Sequence, residues 1–155
     1  MIRPALFLLC ATVGSSQLKA QTRQMRTIAA EGAAQAIAAS RAAAEKQGWQ
    51  MSIAVVDPAG DLIAFYRMDG ASPATVQNAL GKARTAARFR RPTQAYDSLI
   101  TNGRTGLLNF ENMTPLEGGI PVQLEGVTIG GIGVSGGSSA QDAVVANAGA
   151  AAIKP

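Results

Sequence analysis

The 155-residue chain contains no histidine. A Ser-His-Asp triad is therefore excluded, and so is imidazole ligation of a metal ion. It has a single cysteine, Cys10, so neither an internal disulfide nor a thiolate zinc site can be built from it. Aromatic residues are only 5% and charged residues only 15% of the chain. Hydrophobic residues still make up 47%, enough for a packed core and against disorder. Much of that fraction is alanine, with 17 glycines beside it. Small side chains let backbones approach closely but bury little area each. A chain of this kind gains from burying more surface between subunits, which favours a homo-oligomer.

The N-terminus carries one short apolar run, from Ala5 to Val13, behind the basic Arg3 and ahead of small and polar residues. That is the layout of a secretory signal peptide, and the run is too short to span a membrane. Residues 1–20 are read as the leader, cleaved after Ala20 or, alternatively, after Ser16. Residues 21–155 are read as one domain. Cys10 raises a lipoprotein alternative, which Leu9 as the preceding residue argues against. The expected location is periplasmic or secreted, without stable membrane insertion. Loss of the leader removes the only cysteine, together with Arg3 and Lys19. Twelve basic residues then face ten acidic ones, a net charge of +2 in place of +4. So mild a balance argues against nucleic acid as a partner.

The rest of the chain alternates helical and strand patterns. From Met25 to Gln47, small and apolar residues recur at helical spacing, and Gly48 supplies a stop. Met51–Asp57 reads as a strand that is apolar on both faces, hence central. The turn Asp57-Pro-Ala-Gly-Asp61 joins it to a second strand ending at Arg67. A helix is expected from about Pro73 to Phe89, capped by Ser72, and a shorter one from Pro92 to Asn102-Gly103. Two further strands flank Glu125-Gly126 as a second hairpin. The last helix is expected from Ser138 to Ile153. Hairpins separated by helices mean an α+β domain with a mainly antiparallel sheet.

Two stretches carry possible chemistry. The first is Gly131–Asp142, "GIGVSGGSSAQD", where a strand turns into a helix. No lysine follows the glycines, so it is not a P-loop. No second βα unit follows, so it is not a dinucleotide fingerprint. Gly136 and Gly137 could admit a carboxylate or phosphate to the helix N-terminus, or could simply make a tight turn; the tight turn is the more common use. The second is "GKARTAARFRRPT". Arg84 and Arg88 share a helix face, with Lys82, Arg90 and Arg91 adding charge. Such a cluster suits an acidic ligand, although a solvated helix end is the more common outcome. Asp57 and Asp61 flank one turn and more often cap it than bind a cation; no metal site is evident.

The blocks "SIAVVDPAGDLIAFYRMDGA", "KARTAARFRRPT", "GGIPV", "IGVSGGSSAQD" and "ANAGAAAI" together resemble the GlcG/HbpS family of haem-binding-like proteins. The same module is similar to the C-terminal domain of PduO-type corrinoid adenosyltransferases. The resemblance spans roughly Met25 to Ile153. It implies a three-layer α/β/α, profilin-like fold with an antiparallel five-stranded sheet, one strand more than the patterns reveal; the extra one is expected within Gly106–Leu116. It also implies homo-oligomers, and haem or a related tetrapyrrole as ligand. Some relatives hold the iron through a histidine on the first helix. Here an axial ligand would have to be Met25, Met68, Met113, Tyr66, Tyr96 or a lysine. Haem could also be held by apolar contacts and propionate–arginine pairs alone. The expected ligand-lining set is Met68, Lys82, Arg84, Thr85, Arg88, Gly118, Gly119, Ser135, Gly136 and Gly137. Two alternatives stand beside it. One is an enzyme acting on a small carboxylate-bearing substrate, with Asp69, Lys82 or Glu117 moving a proton; Lys82 would have to be buried for that role. The other is a structural oligomer without a ligand.

Overall fold

The structure, a computed structural model, describes residues 24–154. The leader expected over residues 1–20 lies outside the described residues. The elements are α1 (Ala30–Lys46), β1 (Ser52–Val56), β2 (Leu62–Arg67), α2 (Thr75–Phe89), α3 (Gln94–Thr101), a 3-10 turn (Thr105–Asn109), β3 (Gly119–Leu124), β4 (Val127–Ser135) and α4 (Ser139–Ala151). The expected order of helix, hairpin, two helices, hairpin and helix is the observed one.

The sheet has the strand order β2-β1-β4-β3, and every neighbouring pair is antiparallel. β1 is central and wholly buried, as its apolar character on both faces requires. β3 is an edge strand, which tolerates Pro121 because one row of its backbone donors has no ladder partner to lose. Alternation assigns the two faces. Ile53 and Val55 of β1 and Ile132 and Val134 of β4 pack with Ala33 and Ala36 of α1 and Val145 of α4. Ala54 and Val56 point the other way, onto Ala79, Ala83 and Ala87 of α2. The helical layers thus lie on both sides of the sheet.

The α2 side is assembled from small residues. A Cβ on Gly131 or Gly133 would run into the backbone of α2 at Ala83 and Ala79. These glycines let the helix lie directly on the strand, and the abundance of small residues in the sequence is spent here. At the far end of β4, Ser138 caps α4 with a capping box. Its Oγ accepts from Gln141 N–H (3.4 Å), and Gln141 Oε1 accepts from Ser138 N–H (2.9 Å).

Three expectations need correction. Helix α2 starts at Thr75 behind Ala74 rather than at Pro73 behind a Ser72 cap: no side chain caps it, and Ser72 O accepts from Thr75 Oγ1. Helix α1 starts at Ala30 rather than Met25, because Ile28 N–H donates to Ile129 O (2.8 Å) and ties the preceding stretch to β4. Among the described residues the sheet has four strands, not five. The segment Gly106–Leu116 forms the 3-10 turn and an irregular loop instead. Its backbone is engaged elsewhere: Thr114 N–H donates to Thr85 Oγ1 (2.8 Å), Asn112 adopts φ +59°, and Pro115 has no donor.

Candidate functional site

The glycine turn after β4 is the first place where chemistry gathers. The β3–β4 pairing continues past Gly119 through Val134 N–H to Gly118 O (2.9 Å). This sets Gly118 beside the turn. Lys82, from the middle of α2, reaches round the sheet edge there and meets Asp142 from the first turns of α4. Lys82 Nζ donates to Asp142 Oδ2 at 2.7 Å, and both side chains are 3% exposed. Asp142 Oδ1 accepts from Gly137 N–H (2.9 Å). The pair straps one helical layer to the other. Gly118 makes room for it: at φ +118°, a Cβ there would stand 2.7 Å from Asp142 Cβ and 3.0 Å from Lys82 Nζ.

The turn does bind a carboxylate, but the carboxylate is the protein's own. Asp142 takes the place an external anion would occupy, and the capping box of Ser138 and Gln141 uses further polar groups of the helix entrance. Burial pushes the Asp142 carboxyl above the usual carboxylate range. The Lys82 ammonium and the N–H groups of Gly137 and Gly136 pull it part of the way back. Lys82 is buried, as a proton-moving amine would need to be, yet it is committed to this partner.

Several residues of the expected set therefore come together: Lys82, Gly118, Gly136 and Gly137 meet at this corner. Gly119 packs against the Lys82 carbonyl, and Ser135 ends β4 beside them, buried. Met68 is one residue removed. It is buried, and its Sδ accepts from Met51 N–H (3.3 Å), while Met51 packs beneath Gly136 and Gly137. Thr85 is buried and bridges Gly81 O to Thr114 N–H. Glu117 is half-buried, its N–H held by Asp97 Oδ2 (3.0 Å), and Asp69 is exposed.

Arg84 and Arg88 do not join this group. Arg84 Nε donates to Gly60 O (3.1 Å) and Arg88 Nε to Ala59 O (2.6 Å). Both brace the β1–β2 turn on another face of α2. Gly60, at φ +92°, leaves the space through which Arg88 passes. The charge cluster that reads as one patch in sequence is split by helical geometry.

A second place was not legible from motifs. A cavity of about 490 Å³ opens at the entrance to α1, lined by Met25, Arg26, Pro58, Arg90, Val127 and Thr128 among others. Arg90 closes α2 in the left-handed conformation (φ +54°), where glycine is the usual residue. Arg26 Nη1 pairs with Glu125 Oε2 at 2.7 Å. Met25 is 59% exposed. Of the other candidate iron ligands, Tyr96 is buried and stacked edge-on against Phe89, and Met113 is half-buried. Tyr66 lines a separate groove of about 340 Å³, where the Arg41 guanidinium lies 5.1 Å from its ring centre. Among the described residues no group of three or more acidic or cysteine side chains could hold a metal ion, and no helix is long and apolar enough to cross a membrane.

Comparison with known proteins places this architecture. Protein GlcG of Escherichia coli K12 is 46% identical over 99 residues, covering 64% of this chain and 74% of that protein. The crystal structure of HbpS superposes with a TM-score of 0.79 at 36% identity, over 84% of this chain and 93% of that one. The crystal structure of a PduOC:heme complex gives a TM-score of 0.74 at 26% identity, over 82% and 95%. Residues 28–151 match the family described as haem degrading protein, HbpS-like, and with four-fifths of its length inside that match the chain belongs to the HbpS-like family.

Proposed function

We propose that this protein binds haem or a related tetrapyrrole without a histidine ligand, in the cavity at the entrance to α1. The observation that carries the reading is the donor set of that cavity in a chain of this family. Arg26 and Arg90 supply two guanidinium groups, suited to two propionates. Pro58 and Val127 supply apolar contact. Met25, in the stretch before α1, offers a thioether, a known type of haem-iron ligand. The structural neighbour solved as a PduOC:heme complex supports a haem-sized ligand for the fold. Arg90 supports the cavity as a working site, because a left-handed non-glycine residue carries strain that a glycine would avoid. When bound, haem would supply a redox-active iron; the chain's own residues would hold its carboxylates and offer one soft donor.

In this reading the protein is exported after loss of its leader and works as a homo-oligomer. The exposed Phe89, Leu108, Phe110 and Leu116 supply apolar surface for such contacts. Catalysis on a small carboxylate at Lys82 is the weaker reading, because the amine would first have to leave Asp142.

The test is a haemin titration of the chain beginning at Gln21, followed in the Soret band. A saturable shift at one haem per chain is expected. Arg90→Ala should weaken binding about tenfold, the loss of one charge-assisted hydrogen bond. Met25→Ala should move the band position more than the affinity. Arg88→Ala, whose guanidinium is turned to Ala59 O, should bind like the parent. No saturable shift, or an Arg90→Ala variant that binds unchanged, would overturn the proposal.

A further inference from the structure

An anion already stands at the rim of the cavity at the entrance to α1. Glu125 sits in the two-residue turn between β3 and β4, where it and Gly126 both have positive φ, +51° and +76°. That turn geometry favours Asn, Asp or Gly, so a glutamate there carries strain without a turn-forming reason. Its carboxylate reaches Arg26, 99 positions earlier in the chain, at 2.7 Å. The pair holds the segment before α1 against the hairpin, alongside the backbone bond from Ile28 to Ile129. Gly126 and Arg26 both line the cavity, so the ion pair lies on its rim.

Exposure distinguishes this pair from the one at Asp142. The Arg26 and Glu125 side chains are 47% and 65% exposed. An exposed pair is held weakly and exchanges partners at little cost, whereas a buried pair cannot be opened without stranding a charge. Asp142 is therefore a permanent occupant of its turn, and Glu125 is a removable one.

We infer that Glu125 is a stand-in carboxylate that gates the cavity: a ligand carboxylate reaches Arg26 only by displacing it, so that Glu125 attenuates the binding of ligands that use both guanidiniums. The inference rests on the proposed tetrapyrrole reading and adds to it a residue that selects by competition. With Glu125 in place, a ligand bearing a single carboxylate can satisfy Arg90 and leave the Arg26–Glu125 pair closed. A ligand with two carboxylates satisfies both guanidiniums only by displacing Glu125, and that competition lowers its affinity.

The experiment is a double-mutant cycle on haemin affinity using the parent, Glu125→Gln, Arg26→Gln and the double variant. Glu111→Gln serves as a control that removes the same charge from an exposed site elsewhere. Metal-free protoporphyrin, which keeps both carboxylates, is titrated in parallel by Trp49 fluorescence. Glu125→Gln should tighten both ligands about two- to five-fold. Glu111→Gln should not, and the gain should vanish in the Arg26→Gln background. If the parent binds haemin saturably and Glu125→Gln gives no gain, the gate is overturned while the site stands. A gain that persists without Arg26, or that appears for haemin alone, also overturns it, since either would mean the effect does not run through carboxylate exchange. If the parent binds neither ligand saturably, the site and its gate fall together.

Discussion

Removing Lys82 alone should be among the more damaging single changes available to this chain. In Lys82→Met the side-chain volume is nearly kept, so packing against Gly118 and Gly119 is little disturbed. What changes is the state of Asp142. Its carboxyl stays 3% exposed, with Gly137 N–H still donating to it but no cation within reach. Breaking a buried pair from one side costs about 3–5 kcal/mol, because an uncompensated charge remains. Asp142→Asn leaves the opposite fault, a buried ammonium facing an amide, and should cost about as much. The double variant Lys82→Met/Asp142→Asn removes both charges and keeps an amide oxygen for Gly137 N–H. It should recover most of the loss and lie within about 1–2 kcal/mol of the parent, since buried pairs add little net stability over neutral replacements. Urea unfolding followed by circular dichroism reads all four proteins, and the midpoint displacement gives each difference when the slope is unchanged. Strict additivity of the two single losses, or single losses below about 1 kcal/mol, would refute the reasoning, because a pair that straps the layers must couple. The same carboxyl predicts a pH trend. Burial raises its folded pKa above the unfolded value, so between the two the folded state holds the proton more tightly. Its contribution to stability is greatest below the unfolded pKa of about 3.9 and declines as pH rises from there through the folded pKa. Asp142→Asn should flatten that decline.

Two further predictions follow from backbone geometry. Gly133→Ala pushes a methyl into the backbone of α2 at Ala79 and Ala83, which cannot yield locally. It should destabilise by about 1–3 kcal/mol or more and lower the thermal midpoint, whereas Gly103→Ala, in open space at a turn, should give a smaller loss that comes from its positive φ alone. Ser138→Ala removes the acceptor of the capping box at α4 and should cost about 1 kcal/mol by the same urea assay, without altering haemin affinity.

The parts of the fold that were legible are those written in local pattern. Both hairpins and the bodies of both long helices after the first follow from alternation, helical spacing and turn residues that act within a few positions. The start of α1 was not legible, because Met25 and Ile28 fit a helical stripe and only the long-range bond from Ile28 to Ile129 decides against it. The fifth strand failed for the complementary reason. It was expected from resemblance, and the residues of Gly106–Leu116 themselves show no alternation that would sustain it. Arg84 and Arg88 were rightly placed on one helix face, but which face turns to the glycine turn depends on α2 packing against β4, and that packing sends them to Ala59 and Gly60 instead.

Asp142 and Glu125 show why the sites themselves were harder to read than the fold. Each is an acidic residue that the sequence presents as unremarkable, one in the first turns of a helix and one in a hairpin turn. Each finds a basic partner far along the chain, Lys82 60 positions away and Arg26 99 positions away. No spacing rule could pair them, because the pairing is made by the crossing of layers at the sheet edge in one case and by the return of the hairpin in the other. A glycine-rich turn beside a helix invites the idea of an external anion, and here the chain has supplied its own. The same logic, moved to an exposed rim, gives an anion that can leave. Burial alone separates the two outcomes: the pair closed to water holds the fold, and the pair open to water can exchange with a ligand.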